Sequence, residues 1–160
     1  MFGVAGCAAL GVGRAAPTQD EIAALPLTEV LMLADGGNGF AQHRLCHAYS
    51  YGDGVQQDYA RAFEWCTRAA SHAELASSKT LLGDLYFHGR GVEQSLELAR
   101  HWYEQAAAGG HPHAQFMLGV IYQQGRGVAP DTDAARTWYE SAAAGGSSLA
   151  RDRLDQLPVK

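Results

Sequence analysis

The chain has 160 residues, a net charge of −5 at pH 7, 47% hydrophobic and 18% charged residues. That is an ordinary balance for a folded chain, and it is long enough to bury a core without metal or disulfide support. Ten of its twelve basic residues are arginine, with no basic run to track a phosphate backbone. Nucleic acid is therefore not an expected partner, and no stretch approaches the roughly 20 apolar residues of a membrane-spanning helix.

Residues 1–16 stand apart in composition. FGVAGCAALGVG (2–13) is uncharged and weakly apolar, with the length of the apolar region of a secretory signal. VAGC (4–7) resembles a bacterial lipoprotein signal, in which the cysteine becomes the lipidated first residue, so Cys7 is a candidate lipidation site. The expected location is then periplasmic or envelope-associated, with the true signal beginning upstream of Met1. The charged segment of such a signal is missing here, so a disordered Gly/Ala-rich tail on a cytoplasmic protein stands as the alternative.

From residue 17 to 157 the chain reads as one repeat domain. YSYGDGV (49–55), YFHGRGV (86–92) and YQQGRGV (122–128) recur in step with Trp65, Trp102 and Trp138, at intervals of 37 and 36 residues. Two independent anchors in register define a repeat. We place a cap at 27–38, repeats at about 39–74, 75–110 and 111–146, and a C-terminal cap helix at 147–157. The short segment QDEIAAL precedes Pro26 as a separate lead-in.

Each copy predicts two helices. In the first, Ala41, Leu45 and Tyr49, then Leu82 and Tyr86, then Ala114, Leu118 and Tyr122 form one stripe of period 3.6. Gly52, Gly89 and Gly125 are predicted to end it in a left-handed conformation. A second glycine (Gly54, Gly91, Gly127) holds the turn open. Asp58, Ser95 and Asp131 stand where a side-chain oxygen caps the next helix. In that helix Ala62, Trp65 and Ala69, and their equivalents, put small residues on either side of a ring expected to fill the groove between units. A pair this small cannot bury its own apolar face, so the pairs must stack.

These motifs resemble the Sel1-like repeat family: Leu-Gly and Tyr in the first helix, G-x-G-V in the turn, then Asp, Ala, Trp-Tyr and Ala-Ala. The third copy, AQFMLGVIYQQGRGVAPDTDAARTWYESAAAGG, fits best. The resemblance covers about residues 27–157. It implies an all-α fold, an α-solenoid of stacked antiparallel helix pairs related to tetratricopeptide arrays. It also implies scaffolding of proteins rather than enzymatic chemistry, and no cofactor.

The first copy departs from the pattern twice. Cys46 stands where Gly83 and Gly119 stand, and Cys66 where Tyr103 and Tyr139 stand. The family pattern brings these two positions together, so the double change implies a Cys46–Cys66 disulfide in an oxidising compartment. Two buried free thiols are the alternative.

Signals for chemistry are few. His43 and His47 lie at i, i+4 beside Cys46, but no third ligand follows in a recognisable pattern, so no metal site is assigned. Some extracellular Sel1-like proteins are linked to β-lactam binding or hydrolysis. A hydrolase of that kind is a remote alternative, because Ala76 stands three residues before Lys79 and S-x-x-K is absent.

Solenoids present a concave face built from successive first helices. By register it carries Phe40, His43, His47 and Ser50/Tyr51 in the first copy, and Ser77, Thr80, Asp84 and Phe87/His88 in the second. In the third it carries His113, Phe116, Val120 and Gln123/Gln124. These positions vary while the buried ones repeat, which fits recognition of a protein or peptide. The expected function is an interaction scaffold or adaptor in a bacterial envelope. An exported inhibitor or immunity-type protein that neutralises a toxin is the alternative. The polar cap at 147–157 favours a monomer.

Overall fold

A computed structural model describes residues 16–72 and 74–158, which hold nine helices and no strand. They are α1 (Gln19–Ala24), α2 (Leu27–Asp35), α3 (Gly39–Tyr51), α4 (Tyr59–Ala70), α5 (Ala76–His88), α6 (Leu96–Ala108), α7 (Pro112–Gln124), α8 (Thr132–Ala144) and α9 (Ser148–Gln156). The pairs α3/α4, α5/α6 and α7/α8 pack within repeats. The contacts α2/α3, α4/α5, α6/α7 and α8/α9 join one unit to the next. The result is the expected α-solenoid. The expectations for residues 1–15, including lipidation at Cys7, lie outside the described residues.

The turn inside each pair is built alike three times. Gly52, Gly89 and Gly125 adopt φ of 77°, 65° and 66°, and their N–H groups donate to Ala48, Leu85 and Ile121 carbonyls. Only glycine enters this region without a Cβ penalty. Asp58, Ser95 and Asp131 then cap α4, α6 and α8 through their side-chain oxygens. Each cap residue also donates its own N–H to the tyrosine that closes the buried stripe, Tyr49, Tyr86 or Tyr122, at 2.9–3.0 Å. Each second helix is thereby fixed to the end of its first.

The second glycine does more than hold the turn open. A Cβ on Gly91 would overlap the Tyr59 carbonyl and sit 2.7 Å from the Ala60 nitrogen, at the start of the preceding repeat's α4. Gly54 and Gly127 face the first residues of α2 and α6 less tightly, where an added Cβ would meet the side-chain carbons Leu27 Cδ1 and Leu96 Cβ at 3.0 and 3.1 Å. Each turn is thus docked on the unit before it. Side chains add to this joint. Gln42 Nε2 donates to the Ala34 carbonyl at the end of α2, and the equivalent Gln115 Nε2 to Ala107 at the end of α6.

The core follows the predicted stripes at Ala41, Leu45, Leu82, Ala114 and Leu118, all buried, while Tyr49, Tyr86 and Tyr122 at the ends of the stripes are half-buried. The ring assignment differs from expectation. Tyr103 and Tyr139 are fully buried, whereas Trp102 and Trp138 are only half-buried; Trp65 is the most enclosed of the tryptophans. The tyrosine reaches its place because its partner has no side chain. A Cβ on Gly83 would lie 2.7 Å from Tyr103 Cε1, and one on Gly119 would collide with the Tyr139 ring. In α3/α4 the same two positions hold Cys46 and Cys66, both completely buried, joined by a disulfide with Cα atoms 4.7 Å apart. One contact is therefore filled in two ways: a ring against a bare backbone, or two sulfurs.

Candidate functional site

Where α3, α5 and α7 come together, an open cleft of about 150 Å³ is lined by Ser50, Tyr51, Tyr59, Leu81, Asp84, Leu85, His88, Arg90, His113 and Met117. Its residues arrive from three repeats: Tyr51 and His88 from equivalent ends of α3 and α5, and Leu81 and Met117 from equivalent positions earlier in α5 and α7. Drug-sized ligands occupy pockets of about 300–1,000 Å³. This cleft has the dimensions of a receptor for one or two side chains.

Asp84 is its electrostatic centre. The Tyr103 hydroxyl donates to Asp84 Oδ1 at 2.7 Å, and His113 Nε2 lies 3.5 Å from the same oxygen. That hydrogen bond raises the His113 pKa above its ordinary value, against the pull of burial. Tyr103 is pushed far up by burial and then by the Asp84 charge, so it stays a neutral donor. Tyr51 is raised by burial and by Asp84. His88 is lowered by burial and then by Arg90, and His111 by burial and then by His113. His43 is lowered by burial, then by His47 and His111.

Of the residues expected on this face, Ser50, Tyr51, Asp84, His88 and His113 meet in the cleft, Ser50 as a buried part of its wall. Two others must be corrected. Thr80 is buried, with its hydroxyl bonded to the Ala76 carbonyl and to His111 Nδ1, and Phe87 is buried against Tyr103. Neither offers a surface. His43 is half-buried with Nδ1 at 2.8 Å from Ser78 Oγ, while His47 is exposed and its ring lies 4.6 Å from that of Tyr51. Phe40, Phe116 and Val120 are half-buried on the core clusters, and Gln123 accepts from the Tyr139 hydroxyl. Gln124 is exposed, outside the cleft.

Sequence reasoning did not place Leu81, Leu85, Met117, Tyr59 or Arg90 in the site. Leu81 and Met117 carried a signal: they align with Arg44, so this position also varies between copies. Tyr59 and Arg90 belong to a second helix and a turn, which a face drawn from first helices alone leaves out. Among the described residues no group of three or more His, Cys, Asp or Glu could hold a metal, and no helix is long and apolar enough to cross a membrane.

The Sel1 repeat family pattern matches residues 39–73, 76–111 and 112–147. Among solved structures, a Sel1 repeat protein from Oxalobacter formigenes is 42% identical with a TM-score of 0.70, over 81% of this chain and 97% of that one. The protective antigen c5321 of uropathogenic Escherichia coli, described as having an SLR fold, is 33% identical with a TM-score of 0.75, over 81% of this chain and 28% of that one. Among curated proteins, the chitin synthase regulator SKT5 of Saccharomyces cerevisiae is 38% identical over 73 residues, 44% of this chain. Protein sel-1 homolog 2 of Rattus norvegicus is 35% identical over 71 residues. The chain spans 10% of the length of each of these two. With three matched repeats covering most of its length, the chain belongs to the Sel1 repeat family.

Proposed function

We propose that this chain is a non-catalytic interaction scaffold that grips a partner protein or peptide through its first-helix face, outside the cytoplasm in a bacterial envelope. Sel1 repeat proteins are in general protein-interaction scaffolds. The observation that carries the reading here is the cleft shared by three consecutive repeats, with the Tyr51, His88 and His113 side chains at its exposed rim. Residues that vary among copies converge there, while the scaffold positions beneath them repeat. The location rests on the buried Cys46–Cys66 disulfide, a bond that persists in oxidising compartments. A similar bacterial protein, described as a protective antigen, leans the same way. The polar α9 favours a monomer, and Cys7 is the point at which a lipid would tether it.

The test is a photo-crosslinking amino acid at Tyr51, in protein expressed in its native cell. One dominant adduct to a single protein, lost when His88 and His113 are changed to alanine, supports the reading. Crosslinks that are diffuse, or unchanged by those substitutions, overturn it. Intact mass of the recovered protein under non-reducing and reducing conditions tests the compartment: an unprocessed Met1 with no gain of two hydrogens on reduction refutes export.

A further inference from the structure

Arg90 and Arg126 occupy the same position in consecutive G-R-G turns. Arg90 lines the cleft and its guanidinium lies 5.3 Å from the centroid of the Tyr59 ring; Arg126 lies 5.0 Å from that of Phe87. Stacking uses the face of a guanidinium and leaves its in-plane N–H donors directed outward. Both arginines are exposed, and among the described residues neither is ion-paired. His88 stands beside them. The lone carboxylate lining the cleft, Asp84, is already engaged by Tyr103 and His113. A chain of net charge −5 thus holds an unneutralised cationic edge next to an apolar recess of Leu81, Met117 and Tyr51.

The geometry points to an acidic peptide segment of a partner protein as the occupant, with an apolar side chain against Leu81 and Met117 and a neighbouring carboxylate on Arg90, reinforced by Arg126. This rests on the scaffold reading above and adds the chemistry of the partner. Arginine suits the role because its fork matches a carboxylate bidentately, and ring stacking holds that fork in place before the ligand arrives. The size of the recess limits the apolar anchor to one or two side chains. The surrounding negative charge of the chain rejects acidic segments that dock elsewhere, so the cationic edge supplies register as well as attraction.

The experiment pans a random heptapeptide display library over the immobilised full chain, then measures synthetic winners by fluorescence anisotropy. Winners should carry Asp or Glu next to Leu, Met, Phe or Tyr. Their affinity should fall about tenfold with Arg90→Glu and fall as salt is raised. Tyr51→Ala/His88→Ala should abolish binding. These substitutions fall on exposed side chains, and Arg90→Ala replaces Arg90→Glu if circular dichroism shows the turn disturbed. Winners that depend on Tyr51 and His88 but show no acidic preference and ignore Arg90 overturn this inference and leave the scaffold reading standing. No winners, or winners indifferent to Tyr51 and His88, overturn both.

Discussion

The Tyr103 ring lies against the backbone of Gly83, so close that a single added carbon would stand 2.7 Å from Cε1. The ring is completely buried and tethered to Asp84 by its hydroxyl, so it cannot swing away cheaply. Gly83→Ala should destabilise the protein by about 1–3 kcal/mol, the usual cost of overpacking. Gly36→Ala is the control: φ there is −72° and the nearest atoms are 3.4 Å away. Its effect should stay within about 0.5 kcal/mol. Urea denaturation of both variants decides, and equal midpoints would show that the ring yields.

In the first repeat the same contact is sulfur on sulfur. Cys46→Ala/Cys66→Ala should cost about 3 kcal/mol for the lost crosslink, with a further penalty for the vacated volume. Cys46→Gly/Cys66→Tyr restores the packing of the other copies without the bond. His47 and Ser50 stand where Asp84 and Gln123 receive the tyrosine hydroxyl, so the new ring has polar neighbours. Its urea midpoint should fall between wild type and the alanine pair. A midpoint no better than the alanine pair would refute the exchange of ring for disulfide.

Histidines at the repeat joints make stability depend on pH. His43, His88 and His111 have folded-state pKa values below the ordinary 6.5. The unfolded chain therefore binds more protons at these sites, and the stability they contribute is lost as pH falls through 6.5 towards the folded values. His113 runs the other way: its folded pKa is raised, so its contribution is present below 6.5 and is lost as pH rises through the folded value. Between about pH 7.5 and 5.5, the range in which histidine charge changes, His43, His88 and His111 should draw stability down as pH falls while His113 holds it up. Relative to wild type, His43→Gln should lose less stability towards the acidic end and His113→Gln should lose more. Denaturation midpoints at the two pH values, with NMR titration of the ring protons, provide the check.

Arg44 joins α1 to the stack by donating from one guanidinium nitrogen to the Ile22 and Leu25 carbonyls at 2.5 and 2.6 Å. The equivalent residues, Leu81 and Met117, are apolar, so Arg44→Met keeps the register of the other first helices. It should raise hydrogen exchange in α1 by tenfold or more, since bonds to a charged donor contribute about 1.5–3 kcal/mol. Exchange in α5 to α8 should be unchanged. Equal acceleration along the whole chain would mean that Arg44 supports the stack rather than the lead-in helix alone.

The repeats, the left-handed glycines and the caps were legible in the sequence, because each is a local rule repeated at a fixed interval; the cysteine pair was legible only through the family resemblance, as a double departure from its pattern. What was not legible depended on how neighbouring units meet. Thr80 and Phe87 stood in the register of the expected binding face, yet the hydroxyl turned to Ala76 and His111 and the ring went under Arg126. Tyr103 outranked Trp102 in the core because glycine on the facing helix admitted it; the family resemblance brought those two positions together, but the helix stripe alone put the tryptophan inside. Arg90 entered the cleft because Gly91 docks its turn on Tyr59, which is a contact between repeats.

The Cys46–Cys66 bond spans a sequence separation of 20 residues that includes the whole G-D-G turn. Fully stretched, such a segment would measure about 70 Å, and none of that length is released while the sulfurs remain joined. A chain drawn out under tension would pay out its third and second repeats, then stop short by that amount. Reduction would free the remainder. A molecule tethered at its N-terminal end to a moving surface would therefore keep one closed, unloaded loop, the G-D-G turn with most of α4, near the anchor after the rest had been pulled straight.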